Sequence, residues 1–121
     1  MPTEENARLE VHFDPDEVTR VELLDRNILE EAGIQQIGDE ITQIIDRQDQ
    51  PKLLISFENV EHLSSAALGT LITLNNKIQQ KGGQLRLSNI NPQIKEVFSI
   101  TKLNKLFQIY DDNEQAHASF S

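Results

Sequence analysis

Two adjacent serines, Ser64 and Ser65, stand between an apolar segment and an amphipathic run, where a side-chain hydroxyl can do chemistry. In a purely structural role, either hydroxyl can accept a hydrogen bond from an N–H group in the first turn of a helix, which contributes about 1 kcal/mol to stability. A serine nucleophile favours a sharp turn with flanking glycines and a base, but the neighbours are Leu63 and Ala66. A phosphate here would face the positive end of the helix dipole, so the fold would tolerate it. The residues therefore favour capping or phosphorylation over nucleophilic catalysis.

The other candidate residues do not form a catalytic or metal-binding set in the sequence. His12, His62 and His117 lie far apart, and none pairs with another at a metal-ligand spacing. The chain has no cysteine, which excludes disulfides and thiolate chemistry. Asp25, at the end of a predicted strand, fits a turn as well as a functional role. We therefore expect no metal and no cofactor, and direct nucleotide binding stays open, although no phosphate-binding loop is found.

The size and charge of the chain limit the classes of function. Its 121 residues fit one domain, residues 1–121. A formal net charge of -9 disfavours direct contact with nucleic acid and with anionic membrane surfaces. No apolar run approaches the ~20 residues that span a bilayer, and the first residues have no secretory-signal pattern. We therefore expect a cytoplasmic protein with no membrane and no nucleic-acid partner.

Hydrophobic periodicity predicts strands that alternate with helices. Residues 9–13 and 18–24 alternate as strands paired in a hairpin, and residues 52–57 form a strand buried on both faces. Apolar residues at three- and four-residue spacing predict a helix from about Leu29 to Arg47 and another from the serines to the glycine pair at 82–83. Further along, the pattern predicts a strand at 84–89, a helix opened by Asn91 and Pro92, a strand at 106–110 and a short terminal helix. This order implies an α/β fold with a mostly parallel sheet.

Three stretches of the sequence resemble one known family. They are "LLD" at 23–25, "LLISFENVEHLSSAALGTLI" at 53–72 and "GGQLRLSNINPQIKEVFSITKLNKLFQIY" at 82–110. Together they are similar to the STAS domain, specifically to the small bacterial anti-sigma factor antagonists, over nearly the whole chain. The resemblance implies a small mixed, mostly parallel sheet of about four to five strands with helices packed mainly on one face.

The resemblance also assigns roles to residues. The family motif Asp-Ser-Ser-Gly-Leu-Gly, aligned on residues 68–69, places the phosphorylated serine at Ser65, with Ser64 in place of the aspartate as a rival acceptor. Ala66 and Ala67 replace the second serine and the first glycine, and Asp25 matches the family aspartate beside the phosphorylated serine. The implied partner surface comprises Asp25, Asn27, Ile28, Ser64, Ser65, Ala66 and Leu68, with the loop at 88–92 at its edge.

The resemblance implies a partner-switching binding module with no catalysis of its own. Unphosphorylated, it would bind an anti-sigma factor serine kinase and so free a sigma factor. Phosphorylation at Ser65 would release it, and a PP2C-type phosphatase would restore it, because added charge in the middle of a contact surface opposes a partner shaped around a neutral serine. Two alternatives stay open: a STAS scaffold in a stress-signalling or lipid-transport complex without serine phosphorylation, and a small hydrolase or transferase that uses Ser64 or Ser65.

Overall fold

The structure is a computed structural model that describes residues 8–13 and 17–120. Strands and helices alternate along these residues, as the sequence predicts. In chain order they are β1 (Leu9–Phe13), β2 (Val18–Leu23), β3 (Asn27–Ile28), α1 (Glu31–Asp46), β4 (Lys52–Ser56), β5 (His62–Leu63), α2 (Ser65–Gln80), β6 (Gln84–Ser88), α3 (Pro92–Ile100), a 3₁₀ helix (Leu103–Lys105), β7 (Gln108–Tyr110) and α4 (Asn113–Ala118).

Five strands form the main sheet, in the order β1-β2-β4-β6-β7. β1 pairs antiparallel with β2, which confirms the predicted hairpin, and the other neighbours pair in parallel. The α/β class and the mostly parallel sheet are thereby confirmed. Because the parallel strands all end at the same edge, the chain leaving β4 reaches the serines at the carboxyl edge of the sheet.

Helices α1, α2 and α3 cover one face of this sheet and enclose the main core. The apolar stripes predicted from three- and four-residue spacing are the buried faces, because each places its branched side chains against the strands. Fully or almost fully buried members of this core are Ile41, Ile45, Leu53, Ile55, Phe57, Leu74, Ile78, Leu87 and Phe98. Gly38 lets α1 approach α2 closely, since a Cβ there would stand 3.0 Å from the Thr70 methyl group.

The opposite face of the sheet is covered in part by the short terminal helix α4. Ala116 packs with Val18 and Leu54 in a second, smaller cluster, and Tyr110 and Phe120 lie against it. Three helices on one face and one short helix on the other agree with the expectation of helices mainly on one face.

The helix and strand ends differ in places from the sequence prediction. The first helix begins at Glu31, not near Leu29, because residues 27–28 form strand β3. That strand pairs in parallel with β5 in a separate two-stranded sheet, which sequence periodicity did not predict. The second predicted strand ends at Leu23, two residues before Asp25. The turn expected around residues 14–16 lies outside the described residues.

Candidate functional site

Ser64 is the N-cap of helix α2, so the capping role predicted for one of the two serines is confirmed for this residue. Its backbone is extended, with φ -86° and ψ 167°, and its Oγ accepts a hydrogen bond from the Ala67 N–H at 3.2 Å. Its own N–H donates to the Ile28 carbonyl at 3.1 Å. The half-buried Ser64 is therefore held by both its hydroxyl and its backbone.

Ser65 occupies the first helical position, and its side chain has a different environment. It is exposed, and its hydroxyl has no hydrogen-bond partner within residues 8–13 and 17–120. The next residue, Ala66, is also exposed and adds little bulk. The N–H groups of these two residues point out of the helix start, where the backbone has no intrahelical acceptors. The Ser65 hydroxyl therefore makes no hydrogen bond among the described residues, and it lies next to backbone N–H groups that have no intrahelical acceptor.

The two-stranded sheet of β3 and β5 joins the segment after β2 to the segment before the serines. Asn27 pairs with His62 and Ile28 with Leu63 in a parallel register. The Arg26 carbonyl accepts hydrogen bonds from the N–H groups of residues 61 and 62, at 2.7 and 3.2 Å. These bonds fix residues 26–28 next to the approach to Ser64.

Asn91 holds the same approach from the other side. Its Nδ2 donates to the carbonyls of Val60 and Glu61, both at 3.2 Å, while its Oδ1 caps helix α3 through the Ile94 N–H at 2.8 Å. The loop that carries the serines is therefore anchored between β3 and the start of α3. This places the start of α3 beside the serine loop.

Asp25 lies in a neighbouring surface depression. Its carboxylate pairs with Arg8, with Oδ2 2.9 Å from Nη1, and its side chain keeps 23% of its exposure. Asn27 and Ile28 line this depression, whereas the two serines and Ala66 line the next one. The two depressions are contiguous, since Leu29 and Ile34 contribute to both.

The predicted partner-surface residues divide by burial. Asn27, Ser65 and Ala66 are exposed, and Asp25 and Ser64 are half-buried. Ile28 and Leu68 keep only 5% and 8% of their exposure, because both belong to the main core. They support the surface from below and offer little area for contact.

Leu29 is a feature of this surface that the sequence reasoning missed. Its side chain is 52% exposed and lies between the Asp25 depression and the serine depression. Leu24, 39% exposed, precedes Asp25 on the same connection. The sequence does contain a signal for this exposure. Leu29 falls within the predicted first helix, but it precedes the buried apolar stripe of that helix, which begins at Ile34. Leu29 therefore adds exposed apolar area at the border of the serine depression.

The described residues that line the serine depression include no histidine, and the group of possible metal ligands lies elsewhere. The acidic residues of this depression, Glu31 and Asp39, belong to α1. A group of His and Glu side chains with ligand atoms within 4.8 Å of one another, Glu10, His12 and Glu22, lies instead on the first hairpin. Nor is any helix among residues 8–13 and 17–120 both long and apolar enough to cross a membrane.

Comparisons with known proteins agree with this architecture. The STAS domain family model matches residues 26–116. An anti-sigma F factor antagonist of Paenibacillus polymyxa is 26% identical over 77 residues, which cover 64% of this chain and 66% of that protein.

Two solved structures show the same fold. An anti-sigma-factor antagonist (STAS) domain protein of Planctomyces limnophilus has a TM-score of 0.82 at 20% identity, covering 93% of this chain and 97% of that one. The Bacillus cell fate determinant SpoIIAA in its phosphorylated form has a TM-score of 0.68 at 16% identity, covering 91% and 97%. The family model spans most of the chain, including the serine loop and the strands that hold it. The chain belongs to the STAS domain family.

Proposed function

We propose that this protein is an anti-sigma factor antagonist of the cytoplasm that binds an anti-sigma factor serine kinase and is released when the kinase phosphorylates Ser65. The observation that carries the proposal is the contrast between the two serines. Ser64 uses its hydroxyl to cap α2, whereas the Ser65 hydroxyl is exposed and has no partner among the described residues. The similarity to an anti-sigma F factor antagonist supports this assignment.

The contrast selects Ser65 over Ser64 as the phosphate acceptor. Phosphorylation of Ser64 would esterify the half-buried oxygen that now accepts from the Ala67 N–H, so it would change the existing cap. Phosphorylation of Ser65 would leave that hydrogen bond in place and would put the phosphate beside the free N–H groups of the helix start. The added charge of about -1.5 to -2 would then act on the partner more than on the fold.

The surroundings of Ser65 fit a protein partner better than a small substrate. Exposed Leu29 borders the serine depression, and Ala66 leaves the helix start open to close approach. Ile28 and Leu68 are buried beneath this surface. A partner that covers Ser65 must desolvate it, so a phosphate at this position opposes the same contact. A PP2C-type phosphatase would reverse the switch.

The experiment is a pull-down from native cytosol followed by intact-mass analysis after ATP is added to the captured complex. We expect capture of a kinase-fold protein, then one phosphate on Ser65 and release of the complex. Ser65→Ala should stay bound after ATP, and Ser65→Glu should bind weakly while remaining folded. Ser64→Ala is the matched control, because it removes the neighbouring hydroxyl and keeps the acceptor.

Two results would contradict the proposal. One is a phosphate that maps to Ser64 and still forms in Ser65→Ala. The other is capture of STAS chains or transporter subunits with no change in mass, which would support the alternative of a scaffold in a stress-signalling or lipid-transport complex. Tight binding by Ser65→Glu would refute the electrostatic account of release.

A further inference from the structure

Strand β1 forms one edge of the main sheet and presents unpaired backbone groups. The Leu24 N–H donates to the Arg8 carbonyl at 2.9 Å, which fixes the hydrogen-bonding phase of the hairpin. Since this phase alternates along an antiparallel pair, residues 8, 10 and 12 direct their backbone groups towards β2. Leu9, Val11 and Phe13 therefore direct theirs to the open side, where no described residue pairs with them.

On the polar face of the hairpin the charged side chains pair along each strand: His12 contacts Glu10, and Arg20 Nε lies 3.8 Å from Glu22 Oε1. Glu10 lies opposite Glu22, and His12 lies opposite Arg20. Like charges directly opposite on neighbouring strands are destabilising. His12 instead contacts Glu10 on its own strand, with Nε2 2.6 Å from Oε1. On the strand itself, Phe13 leaves 72% of its side chain exposed.

We propose that β1 pairs antiparallel with the β1 strand of a second copy of this chain, about a two-fold axis at Val11. The residues directed to the open side then form the hydrogen-bonded pairs: Val11 faces its own equivalent, and Leu9 faces Phe13 of the second copy. Glu10 faces His12 of the second copy in the non-hydrogen-bonded pairs, in which the side chains of the two strands are closest to each other. Glu10 and His12, which contact each other along β1 within one copy, then also lie opposite each other between copies.

The register follows from the same residues. A shift by one residue would oppose polar and apolar faces of the two strands. A shift by two would oppose Glu10 to Glu10 or His12 to His12 across the axis. The complementarity of β1 to itself is what identifies a second copy, not an unrelated extended peptide, as the occupant of this edge. This inference does not depend on the proposed kinase switch.

The register can be tested by cross-linking, because the chain has no cysteine of its own. In the proposed dimer, the Cα atoms of the two residues at position 11 are about 5.5 Å apart, a distance that a disulfide can span. Val11→Cys should therefore form covalent dimers under mild oxidation. Phe13→Cys is the matched control: it is on the same strand and more exposed, but its opposite residue is Leu9, so it should cross-link more slowly. Faster cross-linking at position 13 would indicate random collision and overturn the proposal.

The charge pairing gives a second test, read by sedimentation velocity over a concentration series. His12→Glu replaces both Glu–His pairs with carboxylate pairs, and it should weaken dimerisation by about tenfold or more. Within one copy this change also removes the 2.6 Å contact between His12 and Glu10 and adds a carboxylate near Glu10 and Glu22, so urea unfolding of the variant is measured beside its sedimentation. The exchange of both residues, Glu10→His with His12→Glu, should restore the dimer. A wild-type chain that stays monomeric up to about 1 mM, or an exchange variant that fails to recover, would overturn the proposal.

Discussion

Replacing each serine with alanine should separate a structural hydroxyl from a regulatory one. Ser64→Ala removes the acceptor of the 3.2 Å bond from the Ala67 N–H and leaves a first-turn donor without its partner. Loss of such a cap costs about 1 kcal/mol of unfolding free energy. In a domain of this size that corresponds to a fall in Tm of about 4 °C. Ser65→Ala deletes an exposed hydroxyl with no described partner, so its unfolding free energy should change by less than about 0.5 kcal/mol.

The measurement is equilibrium urea unfolding of the two variants beside the wild type. Equal m-values would show that the variants change stability and not the extent of unfolding. Phosphate incorporation by the captured kinase is then measured on the same samples, and it should persist in Ser64→Ala and vanish in Ser65→Ala. The reasoning fails if Ser65→Ala is the more destabilised variant, because its hydroxyl would then be bonded in the folded state. It also fails if Ser64→Ala loses the phosphate while remaining folded.

Three further substitutions test the parts of the fold that hold the site. Gly83→Ala should destabilise the chain by roughly 3 kcal/mol in urea unfolding, since its Cβ would overlap the Pro51 carbonyl oxygen; an unchanged midpoint would contradict that packing. Phe98→Ala empties a fully buried site and should cost about 3–5 kcal/mol by the same assay, against less than about 1 kcal/mol for exposed Ile100→Ala. Asn91→Ala should lower stability by about 1 kcal/mol and also weaken kinase capture, because it frees the loop before the serines; capture at the wild-type level would show that this anchor is dispensable.

The main elements could be predicted from the sequence because their signals are long and repeated. The isoleucines of α1 recur over about three turns, and the run at 52–57 has the continuous apolar pattern of a strand buried on both faces. The start of α3 was also predictable, since Asn91 and Pro92 form a local signal that needs no tertiary contact. Such elements depend on many residues at once, and a single exception does not obscure them.

The parts that were missed depend on pairing between distant residues. Strands β3 and β5 have two residues each, too few to show any period, and they exist because residues 27–28 meet residues 62–63 across the fold. Their pairing delays the first helix to Glu31 and leaves Leu29 exposed. The burial of Ile28 could not be predicted for the same reason, whereas Leu68 belongs to the apolar face of α2 and its burial follows the helical spacing. A motif shows which residues lie near a site but not which side of the backbone they occupy.

Strands β3 and β5 also bear on how the fold would respond to a phosphate on Ser65. The Ser64 N–H is bonded to Ile28 across the two-stranded sheet, and its hydroxyl is bonded to Ala67, so the helix start is fixed without any contribution from the Ser65 side chain. A phosphate on Ser65 would therefore add charge to a frame that is already complete. Since the helix dipole favours that charge, the free energy of unfolding should not fall on phosphorylation. The full effect of the modification then falls on whatever surface covers Ser65, which is the property that a binding switch requires.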